Sequence, residues 1–205
     1  MKKLNYLLNF LTSYKKIFLK VIFYEIIYSL KFRDFSQNIK IHNDKSRTDT
    51  VPCIFYFLHQ ISKFIKNNNI RSVVDIGSGF GRVINFINIQ NKIKCYGIEY
   101  DHEVYKKSLK YKNKSVKLYC GDVFKFRFEN FNSRCFILVD PFKKKIEIKK
   151  ILNKIRKISP KKNKFIIAVN INKKKISKDF NLLYSIKGSE TRRLDFYKTF
   201  KSTNL

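Results

Sequence analysis

The stretch Ser72-Val73-Val74-Asp75-Ile76-Gly77-Ser78-Gly79-Phe80-Gly81-Arg82 constrains the fold more than any other part of this 205-residue chain. Val73, Val74 and Ile76 form a short apolar, β-branched run, the pattern of a buried strand, with Asp75 near its carboxyl end. Glycines follow at alternate positions, and then Val83, Ile84, Phe86 and Ile87 recur at helical spacing. Strand, glycine turn and helix in that order make a nucleotide-binding element. The turn lets backbone approach a ligand closely, and the helix start offers unpaired N–H groups.

The length predicts one α/β domain with room for a short extension. The formal charge of +30 ordinarily points to nucleic acid or an anionic membrane surface. Here the chain is crowded with Lys, Ile, Asn, Phe and Tyr, all residues of AT-rich codons, and Ala168 is its one alanine. Lysine excess of that kind is compatible with compositional drift and solvated side chains, so charge alone does not establish an RNA partner. The exceptions to the bias are more informative. Of six glycines, Gly77, Gly79 and Gly81 fall in the opening turn, and Gly97 and Gly121 fall at the ends of the next two predicted strands. Among fifteen acids, Asp75, Glu99, Asp101, Asp122 and Asp140 lie at or just beyond predicted strand ends.

Cys53, Cys95, Cys120 and Cys135 form no C-x-x-C pair and read as small apolar core residues, three of them inside strands. Without a disulfide framework, a cytoplasmic setting is expected. His42, His59 and His102 lack ligand spacing, so no metal site is expected.

Residues 1–47 read as an amphipathic helical extension and a loop, and residues 48–205 as the domain. Residues 1–32 carry Leu4, Leu7, Leu8, Leu11, Phe18, Val21, Ile22, Tyr24 and Ile26 at roughly helical spacing, broken by lysines. The apolar runs are too short to span a bilayer. This segment either packs on the domain or lies on an anionic membrane surface as a peripheral contact. Pro52 suits the first turn of a helix over 54–65 capped by Thr50 or Asp49, with Asn67-Asn68-Asn69 ending it.

Five strands are expected near 71–76, 93–98, 116–119, 135–139 and 165–169. Helices near 81–89, 102–111 and 146–158 alternate with them, the last with Ile146, Ile148, Ile151, Leu152 and Ile155 inward. Segments 182–186 and 194–200 pair as an antiparallel hairpin around Gly188. The expected fold is a doubly wound, mostly parallel seven-stranded Rossmann-like sheet. Ligands of such sheets bind at the carboxyl ends of the strands, where Asp75, Glu99, Asp122 and Asp140 gather.

The glycine pattern selects among nucleotides. A dinucleotide fingerprint G-x-G-x-x-G would place its third glycine at Arg82, and no G-K-[ST] follows for a P-loop. The arrangement is D-x-G-x-G-x-G. An acid beside the turn disfavours a pyrophosphate and suits a ligand with an ammonium group. Glu99, at the end of the second strand, is placed to accept both hydroxyls of a ribose. Each acid also fits a plainer role: a turn or cap for Asp75, Asp122 and Asp140-Pro141, and a helix-start acid for Glu99 and Asp101.

Four elements in order carry a family resemblance: Val73-Val74-Asp75-Ile76-Gly77-Ser78-Gly79-Phe80-Gly81, Gly97-Ile98-Glu99-Tyr100-Asp101, Gly121-Asp122-Val123, and Asp140-Pro141-Phe142. Over roughly residues 48–170 the chain resembles the class I S-adenosylmethionine-dependent methyltransferases. More narrowly, it resembles short bacterial members of unassigned substrate, with Thr48-Asp49-Thr50 matching their Thr-rich entry. The resemblance implies S-adenosyl-L-methionine as cofactor. Asp75, Gly77, Ser78, Gly79 and Gly81 would hold its methionine part. Glu99 would hold the ribose with Tyr100 beside the adenine, and Asp122 and Val123 would take the adenine. Asp140, Pro141 and Phe142 would face the transferred methyl. This last motif resembles the [DN]-P-P-[FY] of amine-directed methyltransferases with Phe142 in place of the second proline, which leaves the acceptor open among protein, RNA and small molecule. Three rivals stand beside this reading: an NAD-dependent oxidoreductase, a basic RNA-binding module on an inactive fold of the same kind, and a membrane-surface enzyme acting on lipid or glycan.

Overall fold

β1 (Ser72–Ile76) is buried at every position and runs inside a seven-stranded sheet. The computed structural model of the protein describes residues 12–32, 39–41, 48–111, 114–158, 163–173, 176 and 179–199. Leu4, Leu7, Leu8, Leu11 and Phe200 lie outside the described residues, as does most of the loop over 33–47. The elements are α1 (Phe18–Phe32), α2 (Phe55–Asn67), β1, α3 (Arg82–Asn91), β2 (Lys94–Glu99), α4 (His102–Ser108), β3 (Val116–Cys120), β4 (Cys135–Val139), α5 (Lys145–Lys157), β5 (Phe165–Val169), β6 (Phe180–Lys187) and β7 (Arg193–Thr199).

The sheet order is β3-β2-β1-β4-β5-β7-β6. β1 to β5 are parallel, and β7 inserts antiparallel between β5 and the edge strand β6. The chain leaves β1 toward β2 and β3 and then returns to the other side of β1 as β4. That reversal makes the crevice between the carboxyl ends of β1 and β4 the ligand position of a doubly wound sheet.

Alternation along β1 divides the core. Val74 and Ile76 face α5 and pack with Ile148, Ile151, Leu152 and Ile155, while Val73 joins the opposite cluster with Phe57, Leu58, Ile61, Phe86 and Ile87 of α2 and α3. α1 lies over that second layer through aromatic contacts. Tyr28 meets Phe86 edge-on at 4.9 Å and Phe55 at 5.5 Å, and its hydroxyl bonds His59 Nδ1 at 2.8 Å. The segment before α1 is pinned too. Tyr14 is buried against Phe57, and Lys16 N–H donates to the Gly188 carbonyl at 2.9 Å. α1 turns Leu19 (81% exposed), Phe23, Ile26 and Leu30 outward. No described helix is long and apolar enough to cross a membrane.

Three expectations are corrected. α2 starts at Phe55, three residues beyond Pro52, and neither Thr50 nor Asp49 caps it; instead Glu25 Oε1, from α1, accepts the Phe55 N–H at 2.6 Å. Ile146 is 55% exposed, because two residues before Ile148 is about 200° around the helix from the inward row. Cys120 is exposed, as the last residue of edge strand β3, while Cys53, Cys95 and Cys135 are buried thiols.

The β6–β7 hairpin carries a buried polar network. Asp195 is fully buried and accepts Arg193 Nε at 2.6 Å and Nη2 at 2.8 Å, the Ser185 hydroxyl at 2.5 Å and the Tyr197 hydroxyl at 3.3 Å. Every lone pair of the carboxylate that meets protein is used, so the pair is fixed geometrically. Asp195→Ala leaves the Arg193 guanidinium buried without its partner. Its expected cost is about 3 kcal/mol or more, read as a fall in the urea unfolding midpoint. A shift within error would show that the network contributes nothing.

Candidate active site

The glycine turn folds back onto β2. The N–H groups of Gly77 and Ser78 both donate to the Ile98 carbonyl, at 2.9 and 3.0 Å. Gly77, Gly79 and Gly81 take φ of +75°, +54° and +83°, the left-handed region where a side chain is strained. Two of them also need the space. A Cβ on Gly77 would stand 3.0 Å from Pro141 Cβ, and one on Gly79 would stand 3.0 Å from Thr50 Cγ2. Gly97 completes the arrangement from within β2. A Cβ there would meet Leu118 at 2.8 Å and Ser78 at 2.9 Å, so the turn can lie on β2 only over a glycine.

This packing sets Glu99. Its Oε2 accepts the Gly79 N–H and its Oε1 accepts the Asp101 N–H, both at 2.8 Å. Burial raises its pKa from the ordinary carboxylate value, and those two N–H groups work against the rise. The Tyr100 N–H works against the rise as well, and the carboxylate faces the cavity. Asp101 is a helix cap, accepting from Glu103 and Val104 N–H, and pairs with Lys40 at 2.8 Å. The Lys40 ammonium and the two N–H groups bring its pKa below the usual value, although its partial burial opposes them most strongly of all.

A cavity of about 410 Å³ lies at the carboxyl ends of β1, β2 and β4. It takes in Gly77, Ser78, Gly79, Glu99, Tyr100, Asp122, Val123, Pro141 and Phe142, so nine of the sequence-derived positions meet on one wall. Tyr100 is 60% exposed at its rim. Asp122 caps the turn after β3 through the Phe124 N–H at 2.9 Å. Phe124 stacks on Phe142 at 5.5 Å. Three expected residues, Gly81, Asp75 and Asp140, stand off that wall. Gly81 is the N-cap of α3, and Asp75 lies behind the wall, 1% exposed, on the sheet face of Val73.

Asp140 lines a second cavity of about 390 Å³ that shares Thr48, Val51, Pro52, Val139 and Phe142 with the first and adds Lys143, Asn170 and Arg192. Asp140 and Asn170 close β4 and β5 with φ of +41° and +58°. Asp and Asn are the residue types that enter this left-handed region most readily after glycine. Sequence reasoning passed over Arg82, Phe124 and Glu147 on the first wall, and Asn170 and Arg192 on the second. Arg82 was legible only as the residue that breaks the dinucleotide fingerprint.

Among the described residues, the buried side-chain polar atoms without a hydrogen-bond partner are both oxygens of Asp75, the Ser78 hydroxyl, and Nε and Nη1 of Arg82. All belong to the glycine turn and its flanks. Buried polar groups are nearly always satisfied, so such a cluster fits a polar ligand group seated there. A ribose agrees with Glu99 on the cavity wall, and a polar amino-acid end agrees with the unmet Ser78 hydroxyl and Arg82 donors on the same wall, so the residues present fit S-adenosylmethionine.

No protein-family model and no curated protein matches the sequence. Solved structures match in fold. The RNA methyltransferase from Salinibacter ruber, solved in complex with S-adenosyl-L-homocysteine, aligns with a TM-score of 0.54 at 16% identity over 76% of this chain and 96% of that one. The mitomycin 7-O-methyltransferase MmcR aligns at 0.55 and 12% identity over 70% of this chain, which spans only 53% of that protein. The methyltransferase domain of bacterial CtHen1-C aligns at 0.53 and 8% identity over 69% of this chain and 96% of that domain. Fold and cavity together define a doubly wound α/β protein with a ligand crevice at the switch point of its sheet. Within that class, the chain has the fold of the class I methyltransferases.

Burial, and next to it the charge of Glu99, raise the Asp75 pKa well above the ordinary value. A carboxyl raised in the folded state costs stability as pH climbs from the unfolded pKa through the folded one, and costs nothing below both. Asp75→Asn is therefore expected to raise the Tm of the ligand-free protein at pH 7.5 by several degrees, at roughly 2–4 °C per kcal/mol, with the gain vanishing toward pH 4. Thermal melts across that range check it, and a gain independent of pH would contradict it.

Proposed function

We propose that the chain is an S-adenosyl-L-methionine-dependent methyltransferase whose acceptor is an amine entering through the second cavity. The observation that carries this reading is the position of Asp140-Pro141-Phe142. The turn stands between a wall suited to a ribose and an amino-acid end and an adjoining polar cavity that holds Asp140 and Asn170.

Bound there, the cofactor supplies an electrophilic methyl carbon on a sulfonium. The transfer is an in-line displacement that asks for alignment and exclusion of water more than for acid–base strength. The residues divide accordingly. Glu99 and Asp122 orient the nucleoside. Asp140 and the Pro141 carbonyl accept the hydrogens of the acceptor amine, which turns its lone pair toward the first cavity. The Phe142 ring, stacked on Phe124, shields the boundary between the cavities from water and offers its face to positive charge.

RNA as acceptor has one specific support, the exposed Lys143-Lys144-Lys145 run directly after Phe142. RNA binding that weakens steeply with salt would favour it.

Calorimetric titration with S-adenosylmethionine, S-adenosylhomocysteine and NAD tests the cofactor. Both S-adenosyl compounds are expected to bind and NAD is not. Glu99→Gln should weaken S-adenosylhomocysteine about tenfold, the scale of one hydrogen bond to a charged group. For the acceptor, labelled methyl transfer into a cell extract separated into protein, RNA and small-molecule fractions identifies the class. Asp140→Ala is expected to lower that transfer about 100-fold with S-adenosylhomocysteine affinity held within a few-fold. Unchanged transfer would remove Asp140 from the chemistry, and binding of NAD alone would overturn the whole reading.

A further inference from the structure

Arg82 is held in an unusual way for the first residue of a helix. Its Nη2 pairs with Glu25 Oε2 at 2.7 Å, and both side chains are about nine-tenths buried. Its guanidinium lies over the Phe55 ring, 3.7 Å from the centroid. Glu25 comes from α1, and its other oxygen accepts the Phe55 N–H. One carboxylate thus fixes both the guanidinium and the ring beneath it. A strut between helices would be complete with this pairing. Yet Nε and Nη1 are buried without a partner, and the residue lines the first cavity. Burying a guanidinium with three of its five N–H donors unmet is costly unless a ligand meets them.

The neighbouring orphan has the opposite sign. Asp75, at the other flank of the glycine turn, is buried with both oxygens unpartnered. An α-amino acid group carries an ammonium and a carboxylate, and the guanidinium on the cavity wall, with donors unmet, matches the second of these. Arginine suits the second task because it stays charged when buried and presents donors in a fixed plane.

We propose that Arg82 receives the α-carboxylate of the cofactor's amino-acid end. Glu25 is its positioning residue, so helix α1 is a working part of the cofactor site. This rests on the cofactor reading above.

The test compares three probes on the full chain by calorimetry: S-adenosylmethionine, decarboxylated S-adenosylmethionine, which keeps the amine, and 5′-methylthioadenosine, which lacks the whole amino-acid end. The unaltered protein is expected to prefer S-adenosylmethionine over its decarboxylated form by 30-fold or more. Arg82→Met should abolish that preference and leave methylthioadenosine affinity within threefold. Arg82→Lys should retain part of it. Glu25→Gln keeps an oxygen for the Phe55 N–H, so the fold survives, and should reduce the preference three- to tenfold, again sparing methylthioadenosine. Equal loss for all three probes in Arg82→Lys and Glu25→Gln would make Arg82 a structural strut and overturn the assignment. So would a preference that survives Arg82→Met. If the unaltered protein binds none of the probes, the cofactor reading itself falls and this assignment falls with it.

Discussion

The site exists because backbone from three strands approaches more closely than side chains would allow. The glycine turn after β1 rests on β2 through two N–H groups on one carbonyl, above Gly97, and touches Pro141 of the β4 turn at Gly77. This contact brings the ends of β1, β2 and β4 to one point. Everything proposed for the cavity follows from it. The Gly79 N–H reaches Glu99 only because the turn lies flat, and Asp140 sits beside the crevice only because Pro141 closes against Gly77.

A second constraint is the placing of charge inside the protein. Glu25 and Arg82 are buried together, and Asp195 is buried with Arg193. The two pairs differ in completeness. The Asp195 carboxylate has partners on both oxygens from three neighbouring side chains, as a pair with a structural task should. The Glu25–Arg82 pair leaves guanidinium donors unmet at a cavity wall. A buried ion pair is weak evidence for stability by itself, and the unfinished one is the better sign of function.

The parts of this molecule visible in the sequence are those fixed by local pattern. β4 and β5 are unbroken apolar runs bounded by polar residues, and their observed limits are those of the runs. The acids at strand ends were legible because a lysine-rich chain offers few carboxylates, and β-strand direction puts strand ends on one edge. What the pattern missed depends on distant partners. Nothing near Pro52 announces that α2 is capped by Glu25, thirty residues away, and the expected local caps line the cavity instead. Arg82 read as a missing glycine, since its partner and its aromatic bed lie on other helices. Asp75 was legible as an acid near the end of a strand, but its place behind the wall follows from strand alternation and the α2–α3 layer, which appear only in the assembled sheet.

Left-handed corners and close contacts coincide at Gly77 and Gly79, whereas Gly81 and Gly121 are corners and Gly97 and Gly188 are contacts. Asn69, Lys92, Asn132, Asp140 and Asn170 hold positive φ without being glycine. Gly77, Gly79, Gly97 and Gly188 occur where a Cβ would come within 3.0 Å of another atom. The first kind of position tolerates asparagine at a modest strain, and the second tolerates no side chain at all. At Gly97 and Gly188 the requirement is therefore room rather than φ, and the backbone there has none to give.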